Sequence, residues 1–243
     1  MADIGSTIDC STLDTGRPLA LVTGGGSGIG LAIVEDLARD REVIALGRSE
    51  AKLRALVGRP HIHPVAVDLC DGVALARLTA PLARLDVLVH CAAISAWSSL
   101  ETSSLPAWRE TFETNVYAPA ELTRLLLPAL RTAKGQVVFI SSGAAVKAVP
   151  GHIVYSASKF ALRGVADALR IEEVGAGIRV ATVAPGPTET PMNRATRTAR
   201  TGSAAREEGR YSDPESHAAA VRLVVDMSPD SQVTEVVVRP RLL

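Results

Sequence analysis

LALVTGGGSGIG, residues 19–30, joins an apolar run to a glycine-rich turn, and the helix-like run LAIVEDLARD follows it at once. The apolar run is typical of a buried strand. A helix that starts directly after it presents free backbone N–H groups and the positive end of its dipole. The sequence therefore predicts a turn that binds a pyrophosphate, with contacts from Gly24, Ser27, Gly28, Ile29 and Gly30. A flexible loop is the alternative for the turn taken alone, and its position between strand and helix favours the phosphate site.

The rest of the chain repeats this alternation of short apolar and longer amphipathic segments. Further strands rich in Val and Ile are predicted over Val43–Leu46, His63–Val67, Leu85–Val89, Gln136–Ile140, Ile178–Ala184 and Val233–Val238. Helices are predicted between them, for example over Gly30–Arg39, Leu105–Leu130 and Tyr155–Glu173. Near-continuous apolar strands separated by helices indicate parallel βαβ units. We expect an α/β fold: one doubly wound parallel sheet of seven strands, of the Rossmann type, in a single domain.

Two segments interrupt this pattern. Residues 1–17 are polar without a hydrophobic period, and we expect a flexible N-terminal arm ahead of a domain over residues 18–243. Residues 190–213, TPMNRATRTARTGSAAREEGRYSD, are polar and rich in arginine. A long aperiodic segment inside a compact domain is usually a functional loop, so we predict a mobile substrate loop with solvated arginines. These arginines are Arg194, Arg197, Arg200, Arg206 and Arg210.

Composition excludes several classes of protein. The 243 residues carry 26 basic and 26 acidic side chains, so no overall field favours nucleic acid or an anionic membrane. Three scattered cysteines, Cys10, Cys70 and Cys91, predict neither a disulfide framework nor a metal site. The N-terminus has no signal-peptide pattern, and no apolar run approaches the roughly 18 residues that span a bilayer. We expect a soluble cytoplasmic protein with reduced thiols.

The end of the second strand bears on the cofactor. NAD-binding proteins usually place a carboxylate there to bind the ribose 2′-hydroxyl, whereas this chain has Gly47 followed by Arg48. A guanidinium matches a 2′-phosphate, so the sequence favours NADP over NAD, unless Arg48 is a plain surface arginine. Asp68, after the third strand, either accepts a hydrogen bond from adenine or caps the helix that starts near Asp71.

A candidate acid/base group opens the helix predicted from residue 155. Tyr155 and Lys159 are four residues apart and therefore share one helix face. A cation about 5 Å from the phenol, at an effective dielectric of about 20, would stabilise the phenolate by roughly 3 kcal/mol, or about two pKa units. Ser142 follows the strand Gln136–Ile140 at the edge where ligands bind, and could hydrogen-bond a substrate oxygen. Taken singly, such a Tyr–Lys pair is common on helix surfaces, and a serine there is most often a turn residue.

In combination these residues resemble the short-chain dehydrogenases/reductases, over about Pro18 to Val238. The family's T-G-x-x-x-G-x-G turn is matched by residues 23–30, its Y-x-x-x-K by Tyr155 and Lys159, and its serine by Ser142. The resemblance implies that Asn115 is the catalytic asparagine, which kinks its helix and holds a water in a relay to the lysine. It implies further cofactor contacts by Tyr155, Lys159, Ala92, Gly186, Thr188 and Thr190. Lys159 would bind the nicotinamide ribose, and the segment 185–190 the carboxamide.

Two stretches depart from the family pattern. His90-Cys91-Ala92-Ala93 replaces N-N-A-G, so Ala93 adds a methyl near the cofactor, and His90 is expected to be a buried hydrogen-bonding residue. The C-terminal VTEVVVRPRLL lacks the V-D-G-G ending common in the family's tetramers. We still expect a homodimer or homotetramer through the helices at 105–130 and 155–173.

The functional hypothesis is an NADP-dependent oxidoreductase that transfers a hydride between nicotinamide and a small alcohol or carbonyl compound, with Tyr155 as acid/base. A reductase of 3-ketoacyl thioesters on a carrier protein is an alternative that the arginine-rich segment would suit. A non-catalytic NADP-sensing protein is the alternative from another class. Such a protein would be free to lose Tyr155, Lys159, Ser142 or Asn115, yet all four are present.

Overall fold

A computed structural model describes Ile4, Leu13, residues 15–206 and residues 208–242. Most of the arm predicted over residues 1–17, including Cys10, lies outside these described residues. The predicted flexibility of the arm therefore stays a prediction.

The described chain alternates strands and helices. The strands are β1 Leu19–Thr23, β2 Glu42–Gly47, β3 Ile62–Ala66, β4 Val87–His90, β5 Gln136–Ile140, β6 Arg179–Pro185 and β7 Glu235–Val238. The helices are α1 Gly28–Leu37, α2 Glu50–Leu53, α3 Gly72–Thr79, α4 Leu105–Phe112, α5 Ala118–Ala133, α6 Ile153–Glu172, α7 Pro191–Thr201 and α8 Pro214–Val225. A π-helical turn, Glu113–Tyr117, joins α4 to α5, and short 3₁₀ turns occupy Arg54–Leu56, Gly143–Ala145 and Val174–Ala176.

The strands form one parallel sheet of seven in the order β3-β2-β1-β4-β5-β6-β7. The order reverses direction between β1 and β4, where the chain crosses from one half of the sheet to the other. In open sheets of this kind, ligands bind at the carboxyl ends of the strands around that point. The predicted fold class is confirmed.

Alternate strand residues enter the two faces of the sheet, because side chains of a strand point to opposite sides. On one face, Leu21, Leu88 and Phe139 pack in a cluster with residues of α3, α5 and α6. On the other face, Val22 and Val89 pack with residues of α1, α2 and α8. Both faces are therefore covered, which explains why the strands are almost continuously apolar.

An ion-pair network ties α8 to α1. Arg222 of α8 donates to Asp36 of α1 at 2.8 Å and to Asp40, just after α1, at 2.8 Å. Arg41 donates to both Asp40 and Asp226 at 2.7 Å. These bonds join the helix that follows the glycine-rich turn to the penultimate element of the chain.

Two predictions of local structure were wrong. The helix predicted over Leu105–Leu130 is broken by the π-helical turn, which contains the buried Asn115. The segment predicted as a loop over 190–213 begins with helix α7, whose start is capped by Thr190 Oγ1 accepting the N–H of Asn193 at 3.1 Å. Few residues of α7 are apolar, and its helical period is carried by the arginines at 194, 197 and 200, so a search for an apolar stripe missed the helix.

Candidate active site

A cavity of about 710 Å³ lies at the carboxyl edge of the sheet. It is lined by the loops after β1, β2, β3, β4, β5 and β6 and by the start of α7. Almost all of the predicted site residues meet in its wall, namely Gly24, Ser27, Gly28, Ile29, Gly30, Arg48, Asp68, Ala92, Ser142, Tyr155, Lys159, Gly186, Thr188 and Thr190. Asn115 is not among them.

The glycine-rich turn leaves backbone donors available to the cavity. The first amide of α1 to find a carbonyl is that of Leu31, which donates to Ser27 O at 3.3 Å. The side chain of Ser27 makes no capping hydrogen bond to the helix. The amides of Gly28, Ile29 and Gly30 therefore have no acceptor among the described residues, and they face the anion site that a helix N-terminus provides. This arrangement fits a pyrophosphate.

Thr23 and Gly24 bring the glycine-rich turn against the loop after β4. The hydroxyl of Thr23 accepts the amides of Cys91 at 3.0 Å and Ala92 at 3.1 Å. Gly24 has a φ of +70°, and a Cβ there would lie 3.0 Å from the backbone of Ala92. Only glycine fits such a left-handed position against another backbone. Ala92 therefore acts through its main chain, which explains why the altered H-C-A-A sequence can keep this geometry.

Arg48 and Asp68 lie at the β2–β3 end of the cavity. Arg48 is exposed and has no hydrogen bond or ion pair with any described residue. Asp68 accepts the amide of Cys70 at 3.0 Å, whereas Asp71 caps α3 by accepting the amides of Val73 and Ala74. The helix-cap alternative for Asp68 is therefore wrong, and its exposed carboxylate also lies beside the Cys70 thiol.

Tyr155, Ser142 and Lys159 lie together at the ends of β5 and α6. The Lys159 ammonium donates to the Ile140 carbonyl at 2.8 Å and lies 5.6 Å from the centroid of the Tyr155 ring. Ser142 Oγ accepts the amide of Ala144 at 3.1 Å, so its own proton is available to an oxygen in the cavity. The three side chains can therefore bind one substrate oxygen from different sides.

Burial dominates the proton affinities in this cluster. Burial lowers the pKa of Lys159 to about 8, because the charged ammonium is only 3% exposed. Burial raises the pKa of Tyr155, against a smaller lowering by the neighbouring hydroxyl of Ser142. The lowered tyrosine pKa expected from the sequence is thus not found, since desolvation penalises the charged forms of both Tyr155 and Lys159.

Asn115 lies behind the cavity wall. Its side chain accepts the amide of Ile94 at 2.8 Å and donates to the Ile94 carbonyl at 2.9 Å and to Ser158 Oγ at 3.0 Å. Ser158 in turn donates to the Tyr155 carbonyl at 2.7 Å. The π-helical turn places Asn115 where it joins the loop after β4 to the helix that carries Tyr155.

Thr188 is held by a residue that the sequence analysis did not identify. The Thr188 hydroxyl donates to Gly186 O at 2.9 Å, and His217 Nε2 lies 2.8 Å from the same hydroxyl. Because the hydroxyl has one proton, His217 is the donor of this second bond. His217 is fully buried in α8, and burial lowers its pKa to about 4, so it is neutral at pH 7.

The arginine-rich segment contains a helix and a buried arginine, and its predicted mobility stays a prediction. Arg197 is 4% exposed, ion-paired with Glu189 at 3.1 Å, and lies 4.6 Å from the centroid of the Tyr211 ring. The prediction of a solvated arginine was wrong for this residue, because Glu189 stands on the neighbouring turn. Met192, Asn193 and Thr196 of the same helix line the cavity.

Two histidines and two cationic side chains lie in or near the cavity. His152, at the N-cap of α6, lines the cavity, contacts Ser95 Oγ at 3.2 Å and lies 5.0 Å from the Trp97 ring. His90 is buried and bonded to Thr123 at 2.8 Å, as expected. Lys147 and Arg239 also line the cavity, and neither was singled out from the sequence.

The sequence matches known proteins over most of its length. The profile of the short chain dehydrogenase family matches residues 18–201. Human L-xylulose reductase is 34% identical over 180 residues, which are 72% of this chain and 74% of that protein. Glycine betaine reductase of Emericella nidulans is 36% identical over 186 residues, which are 72% of this chain but 15% of that much longer protein.

A solved structure agrees with the fold. An actinorhodin polyketide ketoreductase, crystallised with NADPH, superposes with a TM-score of 0.85 at 25% identity, covering 93% of this chain and 97% of that one. Among the described residues, no helix combines the length and apolarity required to cross a membrane.

Proposed function

The chain belongs to the short-chain dehydrogenase family of oxidoreductases, and from this premise we propose that it transfers a hydride between NADP and a small alcohol or carbonyl compound. The observation that carries the proposal is the joint position of Tyr155, Ser142 and Lys159 in a cavity whose other end carries the free amides of α1.

The nicotinamide, when bound, would supply or accept the hydride at the substrate carbon. In the reductive direction the Ser142 hydroxyl donates a hydrogen bond to the carbonyl oxygen, and the Tyr155 hydroxyl transfers its proton to that oxygen. In the oxidative direction Tyr155 takes up the alcohol proton. General acid–base catalysis of this kind contributes roughly 10²- to 10⁴-fold to a rate.

Lys159 positions and polarises this centre. Its bond to the Ile140 carbonyl fixes the ammonium beside Tyr155, and two of its three protons remain available to a ribose hydroxyl or a water. A protonated Lys159 favours the phenolate that forms when Tyr155 releases its proton. Asn115 holds the loop at Ile94 against the start of α6 through its hydrogen bonds to Ile94 and Ser158. The water relay through Asn115 stays a prediction.

The cofactor would lie along the carboxyl edge of the sheet. Its pyrophosphate fits the amides of Gly28, Ile29 and Gly30, and its carboxamide fits the turn around Gly186 and Thr188. The guanidinium of Arg48, which has no partner among the described residues, fits a 2′-phosphate, and the exposed carboxylate of Asp68 fits an adenine amino group. The family member crystallised with NADPH supports this choice of cofactor. Assembly as a homodimer or homotetramer and a cytoplasmic location stay predictions.

The first experiment compares Tyr155→Phe with the control Tyr117→Phe, since Tyr117 is exposed and outside the cavity. The wild type is screened for NADPH oxidation with ketones, aldehydes, quinones and ketoacyl thioesters. We expect Tyr155→Phe to lower kcat by roughly 10²-fold or more, with NADPH binding retained, and Tyr117→Phe to behave as wild type. Full turnover by Tyr155→Phe would refute the mechanism, and NADPH binding without turnover of any substrate would favour the sensing protein.

A second experiment tests the cofactor. Arg48→Met should weaken NADPH binding by roughly tenfold or more, because a charge-assisted hydrogen bond to phosphate is lost, and should leave NADH binding almost unchanged. Arg54→Met, an exposed arginine outside the cavity, is the matched control. Equal use of NADH and NADPH by the wild type would contradict the role of Arg48.

A further inference from the structure

Arg239 follows β7 directly, and its side chain crosses the ends of two neighbouring strands. Its Cδ lies 3.2 Å from the position of a Cβ built on Gly186, after β6, and its Cζ lies 3.0 Å from a Cβ built on Gly143, after β5. The guanidinium therefore packs on the residue next to Ser142. Gly143 follows Ser142 directly, and consecutive Cα atoms are about 3.8 Å apart. The cation of Arg239 therefore contacts the residue adjacent to the serine that we propose to bind the substrate oxygen.

No acid of the described residues neutralises this cation. Arg239 has no hydrogen bond or ion pair with any described residue, although it lines the cavity. Lys147 also lines the cavity, and its amide donates to the Gly143 carbonyl at 3.2 Å. Burial lowers the pKa of His152, and Arg200 is close enough to lower it further. Among the described lining residues the one carboxylate is Asp68, which follows β3 at the opposite edge of the sheet from β7. The substrate end of the cavity is therefore positive.

We propose that Arg239 binds a carboxylate of the substrate, so that the reacting compound is a short oxo acid or the corresponding hydroxy acid. This inference rests on the proposed function and specifies its substrate class. A guanidinium binds a carboxylate through two parallel hydrogen bonds, which orients as well as attracts it. With the carbonyl oxygen at Ser142 and the carboxylate at Arg239, only a few bonds separate the two groups.

The position of Arg239 beside Gly143 favours a short oxo acid over a ketoacyl thioester on a carrier. A thioester is neutral beside the reacting ketone, and the nearest anion of such a substrate is the distant phosphate of its carrier arm. It would leave Arg239 without a partner next to Ser142. A short oxo acid places its charge beside Arg239, which has no acidic partner in the described part of the chain.

The test compares acids with their neutral methyl esters: 2-oxobutanoate, 3-oxobutanoate and 4-oxopentanoate against the three esters, each with saturating NADPH. We expect the wild type to prefer one of the acids over its ester. Arg239→Met should lower kcat/KM for that acid by roughly 10- to 100-fold and change the ester far less, since a charge-assisted bond is lost only for the acid. Arg239→Lys should restore part of the loss.

Arg241→Met is the matched control, because Arg241 is exposed two residues further on and does not line the cavity. It should leave the preference for the acid intact. An equal loss for acid and ester in Arg239→Met, a preference for the esters in the wild type, or an increase in the Kd for NADPH that accounts for the loss would each overturn the proposal.

A binding measurement keeps this test separate from the proposed function. Butanoate, a carboxylate without a reducible carbonyl, is titrated calorimetrically into the NADP-saturated wild type and into Arg239→Met. Butanoate binding that Arg239→Met abolishes supports the carboxylate site even if no carbonyl compound is turned over, in which case the proposed reaction alone fails. No butanoate binding to the wild type, or equal binding to both proteins, overturns the carboxylate site.

Discussion

Glu42 offers a quantitative test of the fold at the edge of the sheet opposite the cavity. This carboxylate begins β2, is 1% exposed, and accepts bonds from His61 at 2.8 Å, His63 at 2.8 Å and Thr15 at 2.9 Å. Burial acts to raise its pKa, and the hydrogen bonds from His63, His61 and Thr15 together outweigh burial and lower it from 4.5 to about 2.

This pKa shift determines how much the charged Glu42 stabilises the fold and over which pH range. A carboxylate with a lowered folded-state pKa stabilises the protein above its unfolded pKa, and the stabilisation is lost as the pH falls toward the folded value. At about 1.4 kcal/mol per unit, the shift corresponds to about 3 kcal/mol at pH 5 and to about half of that at pH 3. Both of these pH values, 5 and 3, lie below the range in which a free histidine titrates.

The assay is urea unfolding of the wild type, Glu42→Gln and the control Glu110→Gln between pH 7 and pH 3. Glu110 is an exposed carboxylate on α4. We expect the gap in unfolding free energy between the wild type and Glu42→Gln to shrink by about half from pH 5 to pH 3. A gap that is constant over this range, or absent at pH 7, would refute the assigned role of the Glu42 charge.

Three further predictions concern the site. The kcat/KM for NADPH should fall as the pH rises above about 8, because this parameter reports free-enzyme groups and the protonated Lys159 is lost there; a flat profile to pH 9.5 would contradict the assignment. Asn115→Leu should lower the unfolding free energy by roughly 2–4 kcal/mol, since both Ile94 backbone groups lose their partner, and denaturant titration would expose the error if the variant were as stable as wild type. His217→Phe should raise the Kd for NADP several-fold and leave kcat at saturating cofactor much less changed, because His217 acts through Thr188; fluorescence titration measures the Kd, and an unchanged Kd would count against this contact.

The sequence determined the fold because its signals were local and strong. Each strand is a short run of Val, Ile and Leu that only a sheet covered on both faces can bury, and the turn at residues 23–30 orients the first βα unit. The same rule placed Ser142 correctly, since the carboxyl ends of parallel strands meet at one edge.

The residues that the sequence analysis mispredicted or missed depend mainly on contacts with residues distant in the chain. The burial of Arg197 depends on Glu189 and Tyr211, and the helical period of α7 is carried by arginines rather than by apolar residues. His217 gives no sequence signal, because its function depends on a hydroxyl 29 residues away. Arg239 could have been found: it follows the last strand, and the edge rule that selected Ser142 applies equally to β7.

The two attachments of α8 have a thermodynamic consequence. One end of this helix holds Thr188 through His217, and the other holds α1 through Arg222 and Asp36. A dinucleotide that engages both the Thr188 turn and the start of α1 therefore spans the same two elements that α8 connects. Cofactor binding and the stability of the folded chain should therefore be linked. We expect saturating cofactor to raise the melting temperature, and a substitution of Arg222 to weaken cofactor binding although Arg222 does not line the cavity.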